Sequence, residues 1–301
     1  MQTNVLNTVK NTKTVVALGK FDGLHVAHME LVKSCVEIGN NKNYDSLVYL
    51  ISGTSKTLCD SDFTVRTLKK AGVSKLCEDI MTKEYMSMSP REFIENILFK
   101  KLNCAHVVVG YNYCFGKDRS GNADTLKEIC PEFGICVTIV KKVTIDIDNK
   151  EIEVSSTNIR KYLADGNITA ANKMLGRPFF VSGVVQTGKQ LGNKIGFPTA
   201  NIYPGDKSNV PLKYGVYATK TTAGPFTHNS ITNVGVNPTL ENHDNVKIET
   251  YIFDFERDIY GDNIKVEFID FIRPETKFQN VDTLKMQLQK DTNKAKKILD
   301  I

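Results

Sequence analysis

Thr14-Val15-Val16-Ala17-Leu18-Gly19-Lys20-Phe21-Asp22-Gly23-Leu24-His25-Val26-Ala27-His28 is the stretch that decides the fold. The apolar run at 14–18 has the length and composition of a buried strand, Gly19 ends it, and a helix opens around the two histidines. His25 and His28 are three apart and therefore share one helix face. Glycines at 19 and 23 let backbone approach a phosphate, and a helix N-terminus offers free N–H donors with roughly half a positive charge. Both imidazoles could then address one triphosphate and stabilise charge that moves during transfer. A plain crossover with two surface histidines explains the H-x-x-H spacing alone, but accounts poorly for the whole string.

Outward from this segment, the first half of the chain alternates. Strand-like runs at 15–18, 46–51, 106–109 and 135–140 are separated by helical patterns at 25–38, 63–71, 90–98 and 123–130. That order predicts an α/β, doubly wound, Rossmann-like parallel sheet. Ser89-Pro90-Arg91-Glu92 is a helix start, with a capping serine and proline at the first position. Gly19 and Gly110 both fall at carboxyl ends of strands, so two loops are expected to converge on one crevice. Helices are expected to open at Ser156 and Asn167. A boundary near Gly176-Arg177-Pro178 divides the chain into domains 1–175 and 176–301. Beyond it, short β-branched or aromatic runs at 179–185, 214–220, 230–234, 246–253 and 264–272 predict an antiparallel β-barrel. Residues 233–239 and 258–261 are expected as turns, and 281–299 as a closing helix.

The 301 residues are 41% hydrophobic and 24% charged, the balance of an ordinary globular protein. The net charge of +5, from 39 basic and 34 acidic residues, is scattered. Lys69-Lys70 and the 294–297 cluster suit solvated helix faces and do not form the stripe that nucleic acid needs. No nucleic-acid partner is expected, and a mild basic excess suits anionic small substrates. No run approaches about 18 apolar residues, and residues 1–11 lack the apolar core of a signal peptide. These features predict a cytoplasmic protein with no membrane association. The seven cysteines, Cys35, Cys59, Cys77, Cys104, Cys114, Cys130 and Cys136, contain no C-x-x-C pair. They are expected as buried thiols, not as disulfides or zinc ligands. All precede residue 137, which supports two separately built halves. Oligomeric state is not legible.

Three further segments carry chemistry. The loop from Gly110 to Gly121 is rich in glycine and aromatics. Its aromatics, Phe115 among them, can stack on a planar ring, and Asn112 can read a polar edge, although a turn carrying core aromatics has the same composition. Ser155-Ser156-Thr157-x-x-Arg160 can hold phosphate through hydroxyl, backbone and guanidinium together, or can be a plain helix cap. In the second half, Gly188, Gly192 and Gly196 recur every four residues and lead into Phe197-Pro198-Thr199-Ala200-Asn201. Thr199 and Asn201 share a face in extended backbone, and their oxygens suit Mg²⁺ held partly by substrate phosphates. Glu249 interrupts an apolar strand. It is a candidate general base for a substrate alcohol, or simply a solvent-facing side chain.

Four of these motifs, Gly19-x-Phe21-Asp22-Gly23-x-His25-x-x-His28, Ser155-Ser156-Thr157-x-x-Arg160, Gly196-Phe197-Pro198-Thr199-Ala200-Asn201 and Asp258-x-Tyr260-Gly261, occur in one order. In this the chain resembles the bacterial bifunctional riboflavin kinase and FAD synthetase family, from about 15 to 299. The resemblance implies that the barrel transfers the ATP γ-phosphoryl group to riboflavin, giving FMN. It further implies that the α/β domain transfers AMP from ATP to FMN, giving FAD and pyrophosphate. It assigns Mg²⁺ and ATP to Thr199 and Asn201, and the base to Glu249. The glycine-rich turn with Gly188, Gly192, Gly196 and Pro198 belongs to the same nucleotide site. Nucleotide phosphates fall to His25, His28, Ser156, Thr157 and Arg160, within a loop carrying Gly19, Phe21 and Gly23. Asn112 and Phe115 fall on the flavin side. Neither half offers a covalent nucleophile, so direct in-line transfer with Mg²⁺ is expected. Two departures touch the first half: Ala27 stands where the family has glycine, and 51–56 lacks the family's proline. They leave open a monofunctional riboflavin kinase with an impaired adenylyltransferase domain. A non-catalytic flavin-binding sensor, and a nucleotidyltransferase with another acceptor, are the remaining alternatives.

Overall fold

The computed structural model describes residues 12–52, 57–187, 196–204, 210–236 and 246–301. The chain forms two compact units, Met1–Ser55 with Ser61–Val154, and Lys56–Asp60 with Ser155–Ile301.

In the first unit the order is β1 (Thr14–Gly19), α1 (Val26–Lys42), β2 (Asp45–Ser52), α2 (Ser61–Lys70), β3 (Lys75–Ile80), α3 (Lys83–Ser87) and α4 (Pro90–Phe93). A π-helical stretch, Ile94–Lys101, continues α4. Then follow β4 (Cys104–Gly110), β5 (Cys114–Phe115), β6 (Gly121–Asn122), α5 (Ala123–Ile129), β7 (Cys136–Val140), β8 (Thr144–Ile147) and β9 (Lys150–Glu153). Five strands make a parallel sheet in the order β3-β2-β1-β4-β7. β1 is central, and its residues 14–17 are wholly buried. Val16 and Leu18 face one layer, with Ile94 and Leu98. Val15 and Ala17 face the other, with Val32 and Cys35. A strand covered on both faces reads as an unbroken apolar run, which is why β1 was legible.

β3 was not expected. It is an edge strand, Lys-Leu-Cys-Glu-Asp-Ile, with only Cys77 buried, so it lacks the apolar signature. The helix expected at 90–98 is a short α-helix that passes into π-helix and ends at Lys101. The hairpin β8–β9 was also missed. It turns through Asp148 and Asn149, both at positive φ, in the manner that matches strand twist. None of the seven cysteines is in a disulfide, but only five are buried: Cys114 is intermediate and Cys136 exposed, contrary to expectation.

The second unit comprises α6 (Ser156–Asp165), α7 (Ile168–Leu175), β10 (Phe179–Gln186), β11 (Ala200–Tyr203), β12 (Gly215–Ala223), β13 (Phe226–Val236), β14 (Val246–Ile252), β15 (Asn263–Pro274) and a terminal helix, Val281–Ile298. The six strands close an antiparallel barrel in the order β10-β11-β14-β13-β12-β15. Asn172 of α7 ties that helix to the barrel: its Nδ2 donates to the Phe268 carbonyl at 2.9 Å, and its Oδ1 accepts from the Phe179 N–H at 2.7 Å. The sequence had marked five barrel strands. β11, only four residues long, is the sixth, and residues 233–236, expected as part of a turn, belong to β13.

The barrel interior is partly polar. Thr219, Thr221, Ser230, Thr232 and Thr250 are wholly buried, and their hydroxyls bond to one another at 2.7–3.4 Å. Buried hydroxyls that satisfy each other avoid the cost of an unmet donor. The terminal helix packs Ala295 and Leu299 on Val216, Ala218 and Ile231. Arg273 pins it, with Nε and Nη2 both donating to the Asp291 carboxylate at 2.7–3.0 Å. Among the described residues no helix is long and apolar enough to cross a membrane.

Candidate active sites

In the first unit, Gly19 ends β1 and the loop 20–24 is wound tightly. Phe21 and Leu24 adopt positive φ, and Leu24 N–H donates to the Phe21 carbonyl at 3.2 Å. A Cβ at Gly19 would stand 3.2 Å from the Phe21 ring, so glycine lets that ring fold back over the strand end. Phe21 is buried and packs 5.2 Å from the ring of His28. His25 is not inside the helix as expected but is its N-cap. Its Nδ1 accepts from the His28 N–H at 3.3 Å. Nδ1 therefore carries a lone pair, and in the neutral ring the proton sits on Nε2 as a donor.

The two imidazoles stack at 3.6 Å and 13°. His28 Nδ1 is enclosed without a hydrogen-bond partner. Burial, and then the neighbouring His25, hold the His28 pKa well below the usual imidazole value. The helix N-terminus thus presents a stacked pair in which protonation of His28 is disfavoured.

β4, next to β1, ends at Gly110 and leads into the aromatic loop. Asn112 is exposed. Phe115 is buried, stacks on Tyr113 at 5.8 Å and 16°, and tilts against Phe93 at 5.2 Å. A Cβ at Gly121 would stand 2.8 Å from the Phe115 ring, so this glycine also makes room for an aromatic. A polar cluster lies nearby in the same unit, and sequence reading missed it. Lys101 Nζ bonds both Asp79 oxygens at 2.6 Å, and the buried Tyr49 hydroxyl donates to Asp79. Its members come from three separate elements, so no local spacing announces it.

In the second unit, Ser155 caps α6 by accepting from the Asn158 N–H at 3.2 Å. Ser156 and Thr157 occupy its first turn. Arg160 lies four and three residues beyond them, on the same helix face.

At the barrel, Gly196 is at φ 81°, Phe197 is buried edge-on against Tyr251 at 5.2 Å, and Pro198 is exposed. Thr199 precedes β11. Asn201 on β11 is directly opposite Glu249 on β14, and Glu249 is directly opposite Asn233 on β13. Directly opposed residues share a face with Cβ atoms about 4.5–5.5 Å apart. Asn201, Glu249 and Asn233 therefore form a row across three strands. Thr250, next to Glu249, belongs to the buried hydroxyls inside the barrel, so the row faces outward. The Glu249 carboxylate pairs with Lys247 Nζ at 2.7 Å. Sequence reading singled out Asn201 and Glu249, and placed Asn233 where an expected strand (230–234) and an expected turn (233–239) overlap, without a role of its own. Gly188 and Gly192 lie outside the described residues.

Asp258 Oδ1 accepts from the Tyr260 N–H at 3.0 Å, and Gly261, at positive φ, donates its N–H to the Val185 carbonyl at 3.0 Å. This turn is thereby fastened to the end of β10.

By fold, the molecule is a nucleotidyltransferase-type α/β unit in one chain with a closed, riboflavin-kinase-type barrel. The model of the FAD synthetase family matches residues 7–158, and that of riboflavin kinase matches residues 175–299. Proteins named bifunctional riboflavin kinase/FMN adenylyltransferase are similar over nearly the full length. The Listeria monocytogenes protein is 36% identical, covering 92% of this chain and 90% of its own. Those of Bacillus subtilis and Escherichia coli are 31% and 30% identical, with 95% of this chain covered in each case and 92% and 93% of theirs. A crystal structure described as a macrolide-efflux protein from Streptococcus pneumoniae superposes with a TM-score of 0.83 at 30% identity, over 94% of this chain and 93% of that one. The chain belongs to the bifunctional riboflavin kinase/FMN adenylyltransferase family.

Proposed function

We propose that the chain makes FMN at the barrel and FAD at the α/β unit, with the residues above in the following roles. The barrel transfers the ATP γ-phosphoryl group to the terminal ribityl hydroxyl of riboflavin. The α/β unit joins AMP from ATP to FMN and releases pyrophosphate. The match of both halves to their two family models carries the reading of two activities.

At the barrel, Glu249 takes the proton from the riboflavin hydroxyl as that oxygen attacks phosphorus. Its place opposite Asn201 supports this role, because the register sets the carboxylate beside the segment read as holding nucleotide. Thr199 and Asn201 bring hard oxygen donors on adjoining positions, which fits Mg²⁺ bound largely through ATP phosphates. A cation held by Thr199 and Asn201 would supply positive charge to the transferring group. Gly188, Gly192, Gly196 and Pro198 are assigned to the loop over that nucleotide. No residue is needed as a covalent intermediate, since phosphoryl transfer asks mainly for alignment and charge stabilisation.

In the α/β unit, Gly19, Phe21 and Gly23 shape the loop and His25 and His28 face the triphosphate. The stacked pair at the N-terminus of α1 supports this, since a helix start offers N–H donors and positive charge to a phosphate. Ser156, Thr157 and Arg160, which open α6 in the second unit, are assigned to phosphate. Asn112 and Phe115 are assigned to the flavin side, Asn112 by its exposed amide and Phe115 as the buried ring that fixes the loop. The protein acts in the cytoplasm on small molecules, with no nucleic-acid partner.

Incubation with riboflavin, ATP and Mg²⁺ yields FMN and then FAD. Supplied FMN gives FAD and pyrophosphate without riboflavin. Absence of FMN in the first experiment removes the kinase assignment, and absence of FAD in the second removes the adenylyltransferase assignment.

A further inference from the structure

Gly235 lies on β13, two residues beyond Asn233 and directly opposite Lys247. A Cβ there would stand 2.1 Å from Glu275 Oε1 and 2.8 Å from its Cδ. The Glu275 carboxylate thus occupies the space that a side chain at 235 would fill. Barrel closure brings it there: Pro274 pairs with Gly215, and Gly215 with Val234. Asn233 Nδ2 donates to Glu275 Oε1 at 3.4 Å. Asn233 is also directly opposite Glu249, so it neighbours two acidic residues.

We propose that Glu275 is a positioning residue for riboflavin phosphorylation: by accepting the Asn233 amide donor over Gly235, it keeps that donor off Glu249. The inference rests on Glu249 being the base. Without Glu275, the carboxylate facing the Asn233 NH₂ group is Glu249 itself. An N–H bonded to Glu249 would occupy a lone pair that the substrate hydroxyl needs. With the NH₂ held at Glu275, the planar amide turns its oxygen away from that carboxylate and can accept from a substrate hydroxyl. Lys247, the cation paired with Glu249, stays in place in this scheme.

The test is steady-state FMN formation by the full chain with riboflavin, ATP and Mg²⁺. Glu275→Ala lowers kcat about tenfold and leaves both KM values and the FMN-to-FAD rate unchanged. Glu275→Gln, whose amide oxygen still accepts from Asn233, keeps most of the activity. Gly235→Ala displaces the carboxylate with a methyl group and matches Glu275→Ala, although Glu275 is still present. The double variant is no worse than either single one. Wild-type kcat in Glu275→Ala, equal loss in Glu275→Gln, or wild-type kcat in Gly235→Ala overturns the proposal. A Glu249→Gln protein that retains wild-type kcat instead overturns the underlying assignment of the base.

Discussion

The rings of His25 and His28 are stacked 3.6 Å apart, and the Nδ1 of His25 accepts the backbone N–H of His28. One contact therefore caps the helix and encloses the second ring. Because the folded pKa of His28 lies well below the unfolded value of 6.5, the folded state binds fewer protons near that pH. Its contribution to stability is complete above 6.5 and is lost as pH falls from there towards the folded pKa. Melting temperatures between pH 7.5 and 5 should fall more steeply for the native protein than for His28→Gln. Parallel curves would show that burial of this ring does not govern its protonation.

Ala27 sits in the first turn of α1, between the two histidines. Glycine there adds backbone freedom and destabilises by about 0.5–1 kcal/mol. With both activities present, Ala27→Gly leaves FAD turnover unchanged and only lowers the melting temperature. A large gain in turnover would point instead to an adenylyltransferase hindered by that methyl group.

Thr199 and Asn201 are assigned to the cation and ATP of the kinase step alone. Thr199→Ala and Asn201→Ala should raise the Mg²⁺ and ATP concentrations needed for FMN formation, with FAD formation from supplied FMN untouched. Titrations of both reactions against Mg²⁺ would separate the two. Equal damage to both reactions would contradict the assignment.

The Arg273–Asp291 pair holds the terminal helix, and the Asp291 side chain is only 2% exposed. Removing Asp291 leaves the partly buried Arg273 guanidinium without its carboxylate, at a cost below the roughly 3–5 kcal/mol of a fully buried pair. Asp291→Ala should therefore unfold the barrel unit at lower denaturant than the α/β unit, as two separated transitions. An unchanged profile would show the helix to be dispensable.

What the sequence disclosed follows from how each element is covered. β1 was legible because both its faces are buried, and α1 because its glycine-bounded start is chemically distinctive. β3 escaped because an edge strand shares only one face with the core, and its charges at Lys75, Glu78 and Asp79 break the pattern. β11 escaped because four residues carry too little periodicity. At the barrel, Asn201 and Glu249 were found one at a time. Their pairing was not legible, since register across β11, β14 and β13 is set by barrel closure and not by spacing along the chain. Glu275 gave no local signal either: what marks it is the missing side chain of Gly235, forty residues earlier.

The central claim is that the two transfers depend on different catalytic residues. Glu249→Gln, assayed in parallel with riboflavin and with FMN, tests it most directly. The account predicts loss of FMN formation by about two orders of magnitude or more, with FAD formation from supplied FMN at the native rate. Native FMN formation, or a comparable loss of both reactions, would contradict it.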